Sequence, residues 1–256
     1  MNGWRIKLVL FLTIINVIGM LAIIPYQLSL MESQPDVVDI PDSVIIMINT
    51  ATQSVITFVL ILLGLRMQQA TDFSVSLLES FVYRTKKARL SKKWLIHSIV
   101  IALIGGLVVI LLDVFVFQSL MGEAVEQPPS PSWWQGLLAA LYGGINEEIL
   151  LRLFGMTLIV WLLAKIAKKE RSEIPNSFYY IAIIITSVLF GLGHLPATSI
   201  AFGGLNEWLI IRAIALNGLM GVIFGYLYWR RGLFYAIIAH MSADVLLHGL
   251  IVPLLQ

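Results

Sequence analysis

Long apolar runs, separated by short polar stretches, form the main pattern along the chain. Because a bilayer core takes about 20 apolar helical residues to cross, each run of roughly this length predicts one membrane span. We predict seven spans, at residues 6–30, 44–65, 94–117, 133–167, 178–194, 207–229 and 233–254. The last run also fits a hairpin of two short helices, so six to eight spans are compatible with the pattern. The predicted fold class is an all-α, polytopic transmembrane helical bundle.

The composition agrees with this pattern. Of the 256 residues, 59% are hydrophobic and only 12% are charged, which is not the composition of a soluble domain. The chain has no cysteine, so disulfides, thiolate nucleophiles and cysteine metal sites are excluded. We expect the lipid bilayer to be a partner and nucleic acid not to be one.

The basic residues sort by side of the membrane. Apart from Arg152 and Arg212, every Lys and Arg lies at the N-terminus or in the second, fourth or sixth loop between spans. Cytoplasmic loops are enriched in Lys and Arg. We therefore predict an integral protein of a bacterial-type plasma membrane, with its N-terminus in the cytoplasm.

The second of these loops also carries apolar residues at helical spacing. They are Phe73, Leu77, Leu78, Phe81 and Val82, and a run of Lys and Arg follows them. This pattern predicts an amphipathic helix that lies on the cytoplasmic membrane surface and contacts anionic lipid head groups.

Ionisable side chains within or at the ends of the spans are the candidates for chemistry. A charge in a bilayer is costly, so each of them needs a partner or a function. They are Asp113, Glu147, Glu148, Arg152, His194, Glu207, Arg212, His240, Asp244 and His248. Asp113 and Arg212 lie at similar depth and have opposite charges, so we predict an ion pair between them.

Two adjacent glutamates stand out in the fourth span. Glu148 and Arg152 are four residues apart, so on an α-helix they share a face and can neutralise each other. Glu147 is rotated by about 100° from Glu148, which leaves its carboxylate available for chemistry. The alternative is that both carboxylates only pack as polar groups against neighbouring helices.

Histidines from two later spans complete the inventory. His194 follows a glycine-rich helix end, and His240, Asp244 and His248 recur at four-residue intervals, which makes a polar stripe on the last helix. One carboxylate, two histidines and an aspartate from three spans suit either water activation by a Glu or His base, or a metal held by His and carboxylate ligands.

Three short motifs in this set resemble those of a known family. EEILLR at 147–152, FGLGH at 190–194 and HMSAD at 240–244 are similar to the EExxxR, FxxxH and HxxxN/D motifs of the CAAX protease and bacteriocin-processing (Abi) family of intramembrane proteases, relatives of the CAAX prenyl endopeptidases. On this resemblance we divide the chain into an N-terminal three-span region with its cytoplasmic linker, residues 1–132, and a catalytic membrane domain, residues 133–256.

The resemblance implies an intramembrane endopeptidase that hydrolyses peptide bonds of membrane-associated peptides or proteins. Carried over to this chain, Glu147 with His194 would activate the attacking water, with Glu147 as general base. His240 and Asp244 would stabilise the tetrahedral oxyanion. The supporting positions of the motifs are Glu148, Arg152 and Phe190.

The family has been described both as metalloproteases and as metal-free glutamate proteases. The chain lacks an HExxH motif, so we expect no resident metal. In a metal-dependent reaction, Glu147, His194 and His240 would be the ligands of a divalent ion such as zinc. Asp244 stands where eukaryotic-type CAAX proteases carry Asn, so it is either protonated, a residue that orients His240, or a metal ligand.

Two other functions compete with the protease. A proton- or ion-coupled transporter could use Glu147, His240 and Asp244 as a relay, although we find no inverted repeat of interrupted helices in the sequence. A catalytically silent family member could serve as a membrane scaffold or immunity protein.

Overall fold

The computed structural model describes residues 5–31, 42–121 and 131–251. These residues contain seven helices that are long and apolar enough to cross a membrane, and no strand, which confirms the all-α polytopic bundle. From the first span to the seventh they are Ile6–Leu30, Ser43–Gln68, Lys92–Met121, Trp133–Ile166, Asn176–Ala201, Glu207–Arg231 and Leu233–Ile251.

Most spans are built from more than one helical segment. In chain order the α-helices are Ile6–Ala22, Ile24–Met31, Asp42–Gln68, Ser76–Val82, Lys92–Leu112, Gln118–Met121, Trp133–Tyr142, Thr157–Ile166, Asn176–Gly193, Leu195–Ala201, Glu207–Arg231 and Leu233–Asp244, with a short 3₁₀ turn at Arg171–Glu173. Three segments are π-helices, with hydrogen bonds from residue i to i+5: Asp113–Phe117, Gly143–Met156 and Val245–Ile251. This form is rare and often lies at functional sites.

The apolar core takes side chains from both parts of the chain. Leu8 and Leu12 of the first span and Ile61 of the second are completely buried in the same core as Ile149 and Leu153 of the fourth. The N-terminal spans therefore pack directly against the helix that carries the EExxxR motif. The division of the chain between residues 132 and 133 stays a proposal.

The linker between the second and third spans forms the predicted helix, at Ser76–Val82. Its apolar side faces protein more than lipid, because Phe73 and Leu78 are buried in the core. The linker is also held by a hydrogen bond from the Leu233 amide to the Ser74 carbonyl, 3.0 Å long. Phe81 is 72% exposed, so its side chain faces away from the core.

The predicted ion pair between the third and sixth spans is confirmed. Arg212 donates from Nε to Asp113 Oδ1 at 2.5 Å and from Nη2 to Oδ2 at 2.7 Å. This two-pronged geometry is the strongest arrangement of an arginine and a carboxylate. Complementary charge at matching depth was enough to identify the pair.

Candidate active site

The π-helix in the fourth span carries a buried ion pair. Glu148 Oε2 and Arg152 Nε are 3.4 Å apart, and neither side chain is exposed. Arg152 also donates from Nη2 to the Gly221 carbonyl of the sixth span, at 3.0 Å. The contact expected from the four-residue spacing is therefore present, and it joins the fourth span to the sixth.

Glu148 has a second partner that the sequence did not predict. Its Oε1 accepts a hydrogen bond from His240 Nδ1, at 2.8 Å. Glu148 thus lies between Arg152 on its own helix and His240 on the seventh span. Because a carboxylate accepts, Nδ1 carries the proton in this contact, and Nε2 is the ring nitrogen that remains for chemistry.

The other nitrogen of His240 faces two carboxylates. Nε2 lies 3.5 Å from Glu147 Oε2 and 3.6 Å from Asp244 Oδ2. The adjacent residues Glu147 and Glu148 therefore contact opposite nitrogens of one imidazole ring. Both residues lie in the π-helix Gly143–Met156.

The backbone of the fourth span passes close to this cluster at Gly143. A Cβ atom at residue 143 would lie 2.1 Å from Asp244 Oδ2 and 3.1 Å from His240 Nε2. Any side chain at this position would therefore displace the carboxylate of Asp244. The glycine of the motif region makes room for the polar groups of the seventh span.

Two phenylalanines enclose the polar groups. The Phe224 ring stacks on His240, with centroids 4.2 Å apart and planes 17° apart, and Phe190 meets the same imidazole edge to face at 5.5 Å. The Arg152 guanidinium carbon lies 5.3 Å from the Phe190 ring centre and 5.6 Å from that of Phe224. These cation–π contacts partly replace the water that the buried arginine has lost.

Phe224 was missed by the sequence reasoning. It lies on the sixth span, in a run of apolar residues where nothing in the pattern distinguishes it from the rest of the core. Phe190, in contrast, was marked by the FxxxH motif, and the structure places it against Arg152 and His240.

His194 is not in direct contact with the cluster. Its Nδ1 donates to the Phe190 carbonyl at 2.8 Å, and its ring meets the Phe190 ring at 4.7 Å. Within the described residues, neither nitrogen of His194 lies within 4.0 Å of a Glu147 oxygen. The Phe190 side chain contacts both His194 and His240.

This arrangement also tests the alternative metal site. Across residues 5–31, 42–121 and 131–251, no group of three or more His, Asp or Glu side chains is arranged to hold a metal ion. The predicted alternative set, Glu147, His194 and His240, is accordingly not gathered as a ligand group in the part of the chain that the structure describes.

Comparison with protein families identifies the region that carries these residues. Residues 129–246 match the family model described as type II CAAX prenyl endopeptidase Rce1-like. This part of the chain belongs to the CAAX protease family. The match includes all three motifs, whereas the first three spans lie outside it. No curated protein and no solved structure matches the chain.

The CAAX protease match and the seven apolar helices together give the general class of the protein. It is an integral membrane protein of the CAAX-type intramembrane protease class, whose substrates are associated with the lipid bilayer. The buried cluster of Glu147, Glu148, Arg152, His240 and Asp244 lies within or between the motifs of that family.

Proposed function

We propose that the protein is an intramembrane endopeptidase in which Glu147 activates a water molecule for attack on a peptide bond. The observation that carries this proposal is the grouping of Glu147 Oε2 and Asp244 Oδ2 around His240 Nε2. Three polar atoms from two spans meet here inside an apolar bundle. Such a group has no structural need to exist, because apolar residues would fill the same space at lower cost.

The difference in exposure between the two glutamates supports Glu147 as the base. The Glu147 side chain is 19% exposed, whereas that of Glu148 is completely buried. Only the accessible carboxylate can meet a water and a substrate carbonyl. Glu147 Oε2 is 3.5 Å from His240 Nε2, which is longer than a normal hydrogen bond, so its carboxylate remains available to accept a proton from a water that lies beside this pair. In the proposed step, Glu147 accepts a proton of the water while the water oxygen attacks the carbonyl carbon. When the tetrahedral intermediate collapses, the C–N bond breaks and Glu147 gives this proton to the leaving amine.

His240 and Asp244 then stabilise the negative oxygen of the tetrahedral intermediate. An imidazolium bonded to Glu148 through Nδ1 keeps the proton on Nε2 for the oxyanion. Glu148 supports this role as the buried carboxylate of a catalytic triad does, because it orients the ring and balances its charge. Asp244 lies beside the same nitrogen and donates to the oxyanion in its protonated form.

His194 requires a movement in this scheme. Its predicted role with Glu147 in activating the water needs the imidazole to approach the carboxylate, whereas the ring packs edge to face against Phe190. We propose that the Phe190 side chain shifts when substrate binds.

The charge pattern of the loops further supports a cytoplasmic N-terminus in a bacterial-type plasma membrane.

The proposal can be tested with purified protein in lipid nanodiscs and a panel of membrane-anchored peptides, with products identified by mass spectrometry. Wild type and the matched control Glu207→Gln, a change at an exposed position, are expected to cut the same bond. Glu147→Gln is expected to cut none, and a chelator is expected to leave wild-type cleavage unchanged. Cleavage by Glu147→Gln at the wild-type rate would refute the mechanism. If wild type cuts no peptide, the transporter and scaffold functions gain support.

A further inference from the structure

A second polar pair lies beyond the residues that the family model matches. The hydroxyl of Tyr26, in the first span, is 3.3 Å from Nδ1 of His248, in the seventh, and the two rings meet edge to face at 5.7 Å. The family match covers residues 129–246 and includes neither side chain. A partnered ionisable residue inside a membrane span is a candidate for function.

Backbone contacts with the fourth span hold both members of this pair. Gln135 Nε2 donates to the carbonyl of Pro25, the neighbour of Tyr26, at 2.9 Å. At the next residue, Gly136, a Cβ atom would lie 2.0 Å from the carbonyl oxygen of His248, so only glycine permits this crossing. Two consecutive residues of one helix thus fix the positions of Tyr26 and His248. The contact between these two side chains is therefore part of the packing of the bundle.

The pair adjoins the proposed reaction centre. His248 follows Asp244 by four residues on the same polar stripe, and Asp244 Oδ2 is 3.6 Å from His240 Nε2. Tyr26 is close enough to Asp244 for an electrostatic interaction, and His248 is close enough to both His194 and His240. The polar stripe of the seventh span therefore continues from the reaction centre to His248.

We propose that His248, oriented by Tyr26, binds a backbone carbonyl of the polypeptide substrate next to the bond that is cut. This inference rests on the proposed protease function. When the Tyr26 hydroxyl donates to Nδ1, a neutral imidazole carries its proton on Nε2, because the hydrogen bond of one ring nitrogen sets the tautomer of the other. The Nε2 proton then serves as a donor for a peptide oxygen. His248 is a substrate-positioning residue and takes no part in bond cleavage.

The tautomer can be measured without any activity. The chain has 4 histidines, so nitrogen-15 labelling of histidine gives a small set of imidazole NMR signals that single His→Gln variants assign. We expect neutral His248 in the wild type to carry its proton on Nε2, and Tyr26→Phe to give a mixture of the two tautomers. A proton on Nδ1 in the wild type, or no change in Tyr26→Phe, would overturn the inference.

Steady-state kinetics with a membrane-anchored reporter peptide tests the binding role. We expect Tyr26→Phe to raise KM about threefold and His248→Leu to raise it about tenfold, the effect of one hydrogen bond, with kcat less affected. The amide of His248→Gln places an N–H group where Nε2 was, so KM is expected to return most of the way to the wild-type value. Tyr180→Phe, a matched change at a residue that is 52% exposed, should leave KM unchanged.

The outcomes separate this inference from the function on which it rests. If Glu147→Gln abolishes cleavage while His248→Leu and Tyr26→Phe leave KM unchanged, the protease proposal stands and the role of His248 is refuted. If His248→Gln is as impaired as His248→Leu, the donor role is also refuted. If Glu147→Gln still cleaves the peptide, the proposed mechanism fails first.

Discussion

Removal of the negative charge of Glu148 is expected to unfold much of the protein. Glu148→Gln keeps the shape of the side chain but leaves the guanidinium of Arg152 completely buried without its carboxylate. Within the described residues, Arg152 Nε and Nη1 have no hydrogen-bond partner, and only Nη2 is bonded, to Gly221. Loss of one member of a buried ion pair costs about 3–5 kcal/mol. For a chain of this size, that loss lowers the melting temperature by roughly 6–20 °C.

Thermal unfolding in nanodiscs, followed by tryptophan fluorescence, measures this loss. Adding Arg152→Met to Glu148→Gln removes the uncompensated charge and is expected to recover most of the stability, because apolar residues of similar volume can replace a buried ion pair. The double variant should fold and yet cleave no peptide, since His240 has lost the charge that balances an imidazolium. Glu207→Gln, at an exposed position, should shift stability by less than about 0.5 kcal/mol.

Two results would contradict this reasoning. If Glu148→Gln melts at the same temperature as Glu207→Gln, the carboxylate does not compensate Arg152. If the double variant is no more stable than Glu148→Gln alone, the loss arises from the hydrogen bond to His240 and not from the arginine. Cleavage by the refolded double variant would instead remove Glu148 from the proposed mechanism.

Further variants test the packing around the site. Gly143→Ala should lower cleavage at least tenfold with little change in melting temperature, because the new methyl group meets the mobile end of Asp244; a variant with normal activity would contradict this. Gly136→Ala should instead destabilise the protein by about 1–3 kcal/mol or more, because its methyl group meets a backbone carbonyl that cannot move alone; an unchanged melting temperature would contradict the crossing. Asp113→Arg or Arg212→Asp should each reduce expression, and the two together should restore it; no recovery would show that orientation matters beyond charge.

Most of the fold could be predicted from the hydropathy and the charge pattern of the sequence. The predicted spans agree with the observed helices to within a few residues at most ends, because a bilayer crossing needs an apolar run of fixed length. The ends that differ most are the extensions of the fifth span to Ala201 and of the third to Met121. Both lie in sequence whose polarity is intermediate, where hydropathy does not mark a sharp end.

Less of the candidate site could be predicted from the sequence. The motifs indicated Glu148 and Arg152 as a pair, but they gave no sign that Glu148 also bonds His240. That contact joins a π-helix to a span that is distant in sequence, and the spacing of apolar residues does not distinguish hydrogen bonds to i+5 from those to i+4 over a short segment. Phe224 and Tyr26 were missed for a different reason, since their roles come from tertiary contacts between spans that are distant in sequence.

The adjacent residues Glu147 and Glu148 are suited to different roles in the proposed reaction. A residue that activates water must exchange a proton with it, so its carboxylate must be reachable and must not be held by a fixed cation. Glu148 meets neither condition, since it is completely buried between Arg152 and His240. Glu147 meets both, with a partly exposed side chain and no Lys or Arg nitrogen within 4.0 Å among the described residues. In the proposed reaction, the fourth span thus supplies the charge-balancing carboxylate at one nitrogen of the His240 imidazole and the reactive carboxylate at the other.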